Sequence, residues 1–482
     1  MTTMVLANCK PQEVLQHFEA ISQIPRGSGN EKAVSDYIAN FAKNLGLKYI
    51  QDKLNNLIIF KPATVGYENS PAVILQAHLD MVCEKNAGTN HDFLKDPIKL
   101  YIDGDKLKAH GTTLGADNGI GVALSMAVLE STNLQHPPIE VILTVDEEAG
   151  MTGANFLDTT TLKAKKMINL DSGDETEFTM GCAAGSMAEY TLPVNWNNTS
   201  SPGYKVSVTG LKGGHSGGDI TDDRGNAMGI LAHVLSRLNE KYEGIGIASV
   251  SGGMKVNAIP REAEAIITIE KCSNINEAKD LLQLAKAEFL KTYNTTDLNI
   301  TIEESTATKV IDNESCEKLL ASLLLMPLGV ISMSREIECL PNASCNIGVL
   351  ETLENAIKIS VMPRGSANHF IGQTETKIKH LAKLTGSTVV FTQRSPAWPY
   401  DPNSALLKVA MASYEKVFNR TAKVTATPGG LECGLLSEKI PELDIIAFGP
   451  TSVDIHTPEE WLSIKSTENV WIFLQDILRN LK

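Results

Sequence analysis

Two segments near the N-terminus, "PQEVLQHFEAISQI" and "NEKAVSDYIANFAKNLG", space their apolar residues three and four apart. That spacing predicts amphipathic helices, the second stopping at a glycine. The pattern then shortens. "LIIFKP" and "AVILQAHLD" are apolar runs of strand length, "DNGIGVALSMAVLE" returns to helical length, and "IEVILTV" and "KMINLD" are strands again. Short apolar strands alternating with helices predict an α/β domain around a mixed, largely parallel sheet.

From Ala184 to about Pro396 the pattern becomes that of a strand-rich α+β region. Two stretches there share a layout of strand, Asn, turn and alternating strand: "MKVNAIPREAEAIITIE" (254–270) and "ASCNIGVLETLENAIKISVMPR" (343–364). Each is followed by an amphipathic helix and another strand, which predicts two related, ferredoxin-like units. After "SPAWPYDP" the α/β style resumes. The expected organisation is one discontinuous domain, 1–183 with 397–482, carrying 184–396 as an inserted lid.

A chain of 482 residues is too long for one ordinary core, which agrees with this division. Its net charge of −14 argues against nucleic acid or an anionic membrane surface as a partner. No basic leader followed by an apolar stretch opens the chain, and no apolar run of about 18 residues follows. The eight cysteines, Cys272 among them, are scattered without a C-x-x-C pair, which suits reduced thiols in a cytoplasmic protein. Cys83, Cys182 and Cys433 stand close to the polar motifs and are expected to be small buried hydrophobes.

The polar residues that interrupt this pattern fall at strand ends, where parallel sheets keep their chemistry. His78 and Asp80 end "AVILQAHLD", Asp146, Glu147 and Glu148 end "IEVILTV", and Asp171 ends "KMINLD". Asp117 sits in the glycine-rich "GTTLGADNGIG", and His456 follows the last strand in "FGPTSVDIHTPEE". Three consecutive carboxylates at the end of a buried strand would repel and protonate unless positive charge sits among them. Imidazoles and carboxylates from separate strand ends are a ligand set for zinc, cobalt or manganese. Taken singly, each has a plainer explanation: an N-cap for Asp117, a solvated acidic loop for Asp171, an ordinary strand-end histidine for His78.

The motifs "HLDMV", "GTTLGADNGIG", "EEAGMTGA", "NLDSGDE", "GGHSGGDI", "NAIPRE" and "GPTSVDIHTPEE" together resemble the di-metal exopeptidases, the superfamily of aminoacylases, carboxypeptidase G and carnosinases. Within it the chain looks most like the aminoacyl-histidine dipeptidases, from the first helix to the last strand. The resemblance implies a di-zinc exopeptidase-like catalytic domain in which Asp117 bridges two ions, His78 and Asp171 complete one, and Glu148 and His456 the other. It implies Glu147 as the general base acting on a metal-bridged water, Asp80 as the partner of His78, and a cis peptide after Asp117.

The resemblance also makes His215 a candidate oxyanion donor. It places Asn257 and Arg364, at related positions of the two lid units, against the substrate carbonyl and carboxylate. The glycine-rich "TPGGLECG" would line the pocket, with Glu432 a candidate for the substrate amine. The implied substrates are unblocked Xaa-His and related dipeptides, including β-alanyl-histidine. An N-acyl amino acid deacylase on the same site is the alternative. Relatives with a single lid dimerise to complete their sites, whereas a doubled lid suits catalysis within one chain, with a homodimer kept for stability.

Overall fold

The computed structural model describes residues 5–270 and 274–482. Two compact units emerge: residues 1–180, Tyr400–Ala426 and Glu432–Lys482 in the first, and Gly181–Pro399 with Thr427–Leu431 in the second. The short segment Thr427–Leu431 thus leaves the domain to which the sequence pattern assigned it. The amides and carbonyls explain this: Ala183 donates to the carbonyls of Thr427 and Gly429, tying the segment to the start of the second unit.

Among the described residues the first unit is built on a sheet of eight strands. Its centre is parallel, with Val73–His78 between Ile139–Thr144 and Lys166–Asn169, and Asp444–Ala447 beside the latter. Leu57–Lys61 and Glu177–Cys182 pair antiparallel on either side. Parallel pairing is therefore confined to the middle of the sheet, less than the strand pattern suggested. The central strands Val73–His78 and Ile139–Thr144 are buried at every position, because helices cover both faces. Ala116–Glu130 shows why it reads as uniformly apolar: Asn118 to Leu129 are all buried, so it has no solvent face. Phe18, Leu124, Phe178, Phe448 and Phe473 belong to the core that results.

The second unit holds a sheet of nine strands among the described residues. Strand order resolves it into two βαββαβ repeats. In one, Gly203–Thr209 lies between Asn299–Ser305 and Ala263–Thr268, with Gly246–Gly252 beyond the latter, and the helices Ala227–Lys241 and Ile275–Thr292 complete the repeat. In the other, Ala184–Pro193 lies between Thr388–Ser395 and Ala356–Gly365, with Pro341–Thr352 beyond, and Asn313–Leu325 and Asn368–Thr385 as helices. The first repeat is nested inside the second, between its first strand and first helix. They join edge to edge where Ser251 and Gly252 pair with Glu351 and Leu350, giving one continuous sheet over a shared core.

No helix among the described residues is long and apolar enough to cross a membrane. Cys9, Cys83, Cys316, Cys339 and Cys345 carry free thiols, while Cys272 lies outside the described residues. Cys182 and Cys433 are buried as expected, but Cys83 is exposed. It stands beyond the buried strand end, where the chain has already turned outward.

Candidate active site

The parallel strands Val73–His78, Ile139–Thr144 and Lys166–Asn169 stop at one edge of the first unit's sheet, and their next residues converge there. His78, the last residue of its strand, is buried. Its Nε2 lies 3.1 Å from Asp117 Oδ1 and 3.8 Å from Asp171 Oδ1. Its Nδ1 is 3.3 Å from Asp80 Oδ1, an ion-pair contact rather than a well-aligned hydrogen bond. On the other side of Asp117, His456 Nε2 is 3.2 Å from Oδ2 and 3.0 Å from Glu148 Oε1. The two oxygens of one carboxylate thus face two imidazoles.

The acid run after Thr144 is a turn, and Asp80 holds it. Its Oδ1 accepts from the Glu147 amide and its Oδ2 from the Glu148 amide, each at 3.1 Å, with Ser28 Oγ donating to Oδ2 at 2.8 Å. Asp146 forms the bend itself, at φ 57, in the left-handed region that non-glycine residues seldom adopt. Its amide donates to Glu31 Oε1, and its carboxylate accepts from Thr152. The three acids therefore do not crowd one surface. Asp146 is spent on the turn, and Glu148 is directed at His456.

The remaining positions are set by local bonds. The Asp117–Asn118 peptide is cis, and Asn118 Nδ2 donates to the Leu170 carbonyl at 2.8 Å and to Asp171 Oδ1 at 3.2 Å. The Asp171 amide donates to Asn169 Oδ1 at 3.1 Å. His456 occupies the loop between Ser452–Val453 and Trp461–Ser463, a pair of short strands extended by Lys106–Ala109. Its φ of 64 is again left-handed.

Electrostatically the cluster is over-supplied with negative charge. Burial, with Glu432, Glu148 and Asp117 adding repulsion against the pull of His78, pushes the Glu147 carboxyl up to about 8. Burial and the charge of Asp117 raise Asp171 well above the carboxylate range. Burial alone would lower His78, but the carboxylates of Asp117 and Asp80 outweigh it and raise the ring well above its ordinary value. Hydrogen bonds to Asp117 and Glu148 raise His456 to about 10. Asp117 is driven down: burial opposes this, and the bonds from His456 and His78 prevail.

Such a constellation calls for added positive charge, and its donors suit a divalent cation. Ligand atoms of His78, Asp117 and Glu148 all lie within 4.8 Å of one another. Imidazole nitrogen with carboxylate oxygen is a zinc, cobalt or manganese set.

Glu432 begins the helix Glu432–Lys439 and is buried in the first unit. Its Oε2 accepts from Gln76 Nε2 and Thr144 Oγ1, both at 2.6 Å, while Oε1 has no hydrogen-bond partner among the described residues. Burial, eased by the Thr144 bond, pushes it up to about 7. Gln76 in turn accepts from Asn169, so a buried polar chain links three neighbouring strands beneath the site. Neither Gln76 nor Asn169 stood out in the sequence, although a polar residue inside an all-buried strand was the available signal.

His215, Asn257 and Arg364 belong to the second unit. His215 and Ala258 pair in a two-residue ladder, and the Ser216 amide donates to the Asn257 carbonyl, so His215 and Asn257 are brought together. The amides of Gly217 and Gly218 donate to His215 Nδ1, at 3.3 and 3.0 Å, which leaves Nε2 as the N–H of the neutral ring. Partial burial and the charge of Arg364 hold that ring below its ordinary pKa. Arg364 is buried, donating to the Pro428 carbonyl at 3.3 Å. Asn257 and Arg364 do not occupy related positions. Asn257 lies between the second and third strands of the nested repeat, whereas Arg364 is near the end of the other repeat's third strand.

Residues 74–480 match Peptidase family M20/M25/M40. The chain is 37% identical to the cytosol non-specific dipeptidase of Escherichia coli (strain K12) over 486 residues, covering 99% of each. It is similar to the crystal structure of aminoacylhistidine dipeptidase from Vibrio alginolyticus, at 36% identity and a TM-score of 0.93, covering 99% of this chain and 98% of that one. A tripeptidase from Staphylococcus aureus, 17% identical with a TM-score of 0.59 over 98% of this chain and 99% of its own, shares the fold. With most of its length matched by the family and a near full-length relative at this identity, the chain belongs to peptidase family M20/M25/M40.

Proposed function

We propose that the protein is a cytoplasmic metal-dependent dipeptidase that hydrolyses unblocked Xaa-His and related dipeptides, β-alanyl-histidine among them. The observation that carries this reading is Asp117, met at Oδ1 by His78 and at Oδ2 by His456, in a chain similar over its whole length to dipeptidases. Asp117 would be shared by two divalent cations, with His78 and Asp171 completing one ligand set and Glu148 and His456 the other. Zinc, cobalt or manganese held there supplies Lewis-acid polarisation of a carbonyl and acidifies a water.

The chain's own residues do the rest. Glu147 is the general base: its carboxylate, which bound cations would keep ionised among the neighbouring acids, takes the proton of the attacking water and returns it to the leaving amine. Asp80 orients the His78 ring and, through two amides, aims Glu147 and Glu148. His215 offers a neutral Nε2–H suited to a developing oxyanion. Arg364 suits the substrate carboxylate, because a guanidinium binds it bidentately. Asn257 is assigned to the substrate carbonyl and Glu432 to the substrate amine. A homodimer, if formed, would serve stability rather than complete the site.

The test is hydrolysis of β-alanyl-histidine, Gly-His, Leu-Leu, a tripeptide and an N-acetyl amino acid, with added zinc and with chelator. Dipeptide cleavage that chelator abolishes and zinc restores is the expected result. Cleavage of the acetylated substrate alone would replace the proposal with a deacylase, and chelator-resistant cleavage would remove the metal from it.

A further inference from the structure

The segment that carries Asp117 is clasped by two buried charges that the roles above leave unused. Glu460, in the loop that also carries His456, accepts from the amides of Leu114 and Gly115 with Oε2, at 2.7 and 3.0 Å. Its Oε1 accepts from Ala116 at 2.8 Å and Asp117 at 3.4 Å. Arg26, between the helices Gln12–Ser22 and Lys32–Asn44, donates Nη1 to the carbonyls of Leu79 and Asp80, both at 2.9 Å, and Nη2 to the Gly115 carbonyl. Both residues are 2% exposed.

The peptide group between Gly115 and Ala116 is thus held at its carbonyl by the guanidinium and at its N–H by the carboxylate. The glycines of the motif record the same fit. A Cβ at Gly115, where φ is 71, would come within 2.6 Å of Arg26 Nη2, and one at Gly119 within 2.5 Å of the same atom. Asp117 itself has non-helical torsions, φ −79 and ψ 110, so the helix that follows does not dictate where its carboxylate points. A buried charge is tolerated where hydrogen bonds compensate it: both Glu460 oxygens and both Arg26 Nη atoms bond backbone that leads to a site residue, while Arg26 Nε has no hydrogen-bond partner among the described residues.

We propose that Arg26 and Glu460 are positioning residues that fix the backbone of Leu114–Asp117 between the strand end of His78 and the loop of His456, and so aim both Asp117 oxygens. The inference rests on the ligand role proposed above for Asp117. Arg26 also ties the loop to the carbonyls on either side of the Leu79–Asp80 bond, so the same clasp sets the spacing between His78 and Asp117.

The test is zinc affinity of the metal-depleted full chain, by competition with a chromophoric chelator, alongside its thermal melting. Glu460→Gln and Arg26→Met are each expected to weaken zinc binding by about 10- to 100-fold, the usual effect of removing a group that orients a ligand. Arg26→Lys should restore only part, because an ammonium cannot reproduce the planar fork. Glu459→Gln, on the exposed neighbour, should leave affinity unchanged. If either variant fails to fold, Gly119→Ala, which displaces the guanidinium, should weaken zinc in the same direction. Folded variants that melt lower but bind zinc as tightly as the parent would overturn the proposal, leaving the clasp a purely structural one. Zinc affinity is read without substrate, so a parent chain that binds zinc and cleaves no dipeptide would overturn the function proposed above and not this assignment.

Discussion

The two sides of Asp117 use the same chemistry with different support. On one side His78 ends an all-buried strand, its side chain 1% exposed, with Asp80 behind the ring and strands on both flanks. On the other, His456 sits in a loop between strands of two and three residues, its side chain 45% exposed. The first imidazole is held by the sheet; the second is held mainly by the acids it touches. The difference teaches where precision comes from: a sheet edge sets one half of the site, and a loop must be pinned by specific bonds to supply the other.

That contrast can be broken outright at Asp117. Asp117→Ala removes the carboxylate common to both sides and should abolish binding of both ions, read as metal content after dialysis. Next in size, Glu147→Gln should lower kcat by about 10²- to 10⁴-fold, as loss of a general base does, with metal content unchanged. A fall in metal content would make Glu147 a ligand instead.

Asp80→Asn loosens the buried side most, since it frees the His78 ring as well as the Glu148 amide. It should weaken the ion beside His78 by about 10- to 100-fold and the ion beside His456 by less, by calorimetric titration. The smallest effects sharpen the comparison in stability. Without metal, His78→Ala should cost about 1–3 kcal/mol, because it leaves buried acids short of a partner. His456→Ala should cost less than His78→Ala, because its ring is half exposed and water can replace part of what it gives Asp117 and Glu148. Equal losses in denaturant unfolding would erase the distinction.

The same contrast decides what could be read from the residues. The strands ending at His78, Thr144 and Asn169 were legible because buried parallel strands are unbroken apolar runs, and the polar residues that stop them stand out. His456 could be read only as a histidine following the last strand, since its loop is pinned by Lys106–Ala109, more than 340 positions earlier in the chain; the motif resemblance supplied its role. Arg26 in "PRGSGN" and Glu460 in "HTPEE" look like ordinary loop charges, and only the fold shows that both are buried against backbone. The repeats were recognisable in their second halves, but their nesting depends on strand pairing, which residue patterns do not encode.

The most direct measurement is an anomalous-scattering map from crystals of the zinc-loaded protein. Two peaks are predicted, one on each side of the Asp117 carboxylate, with His78 and Asp171 at one and Glu148 and His456 at the other. A single peak, or a second one away from His456, would contradict the account.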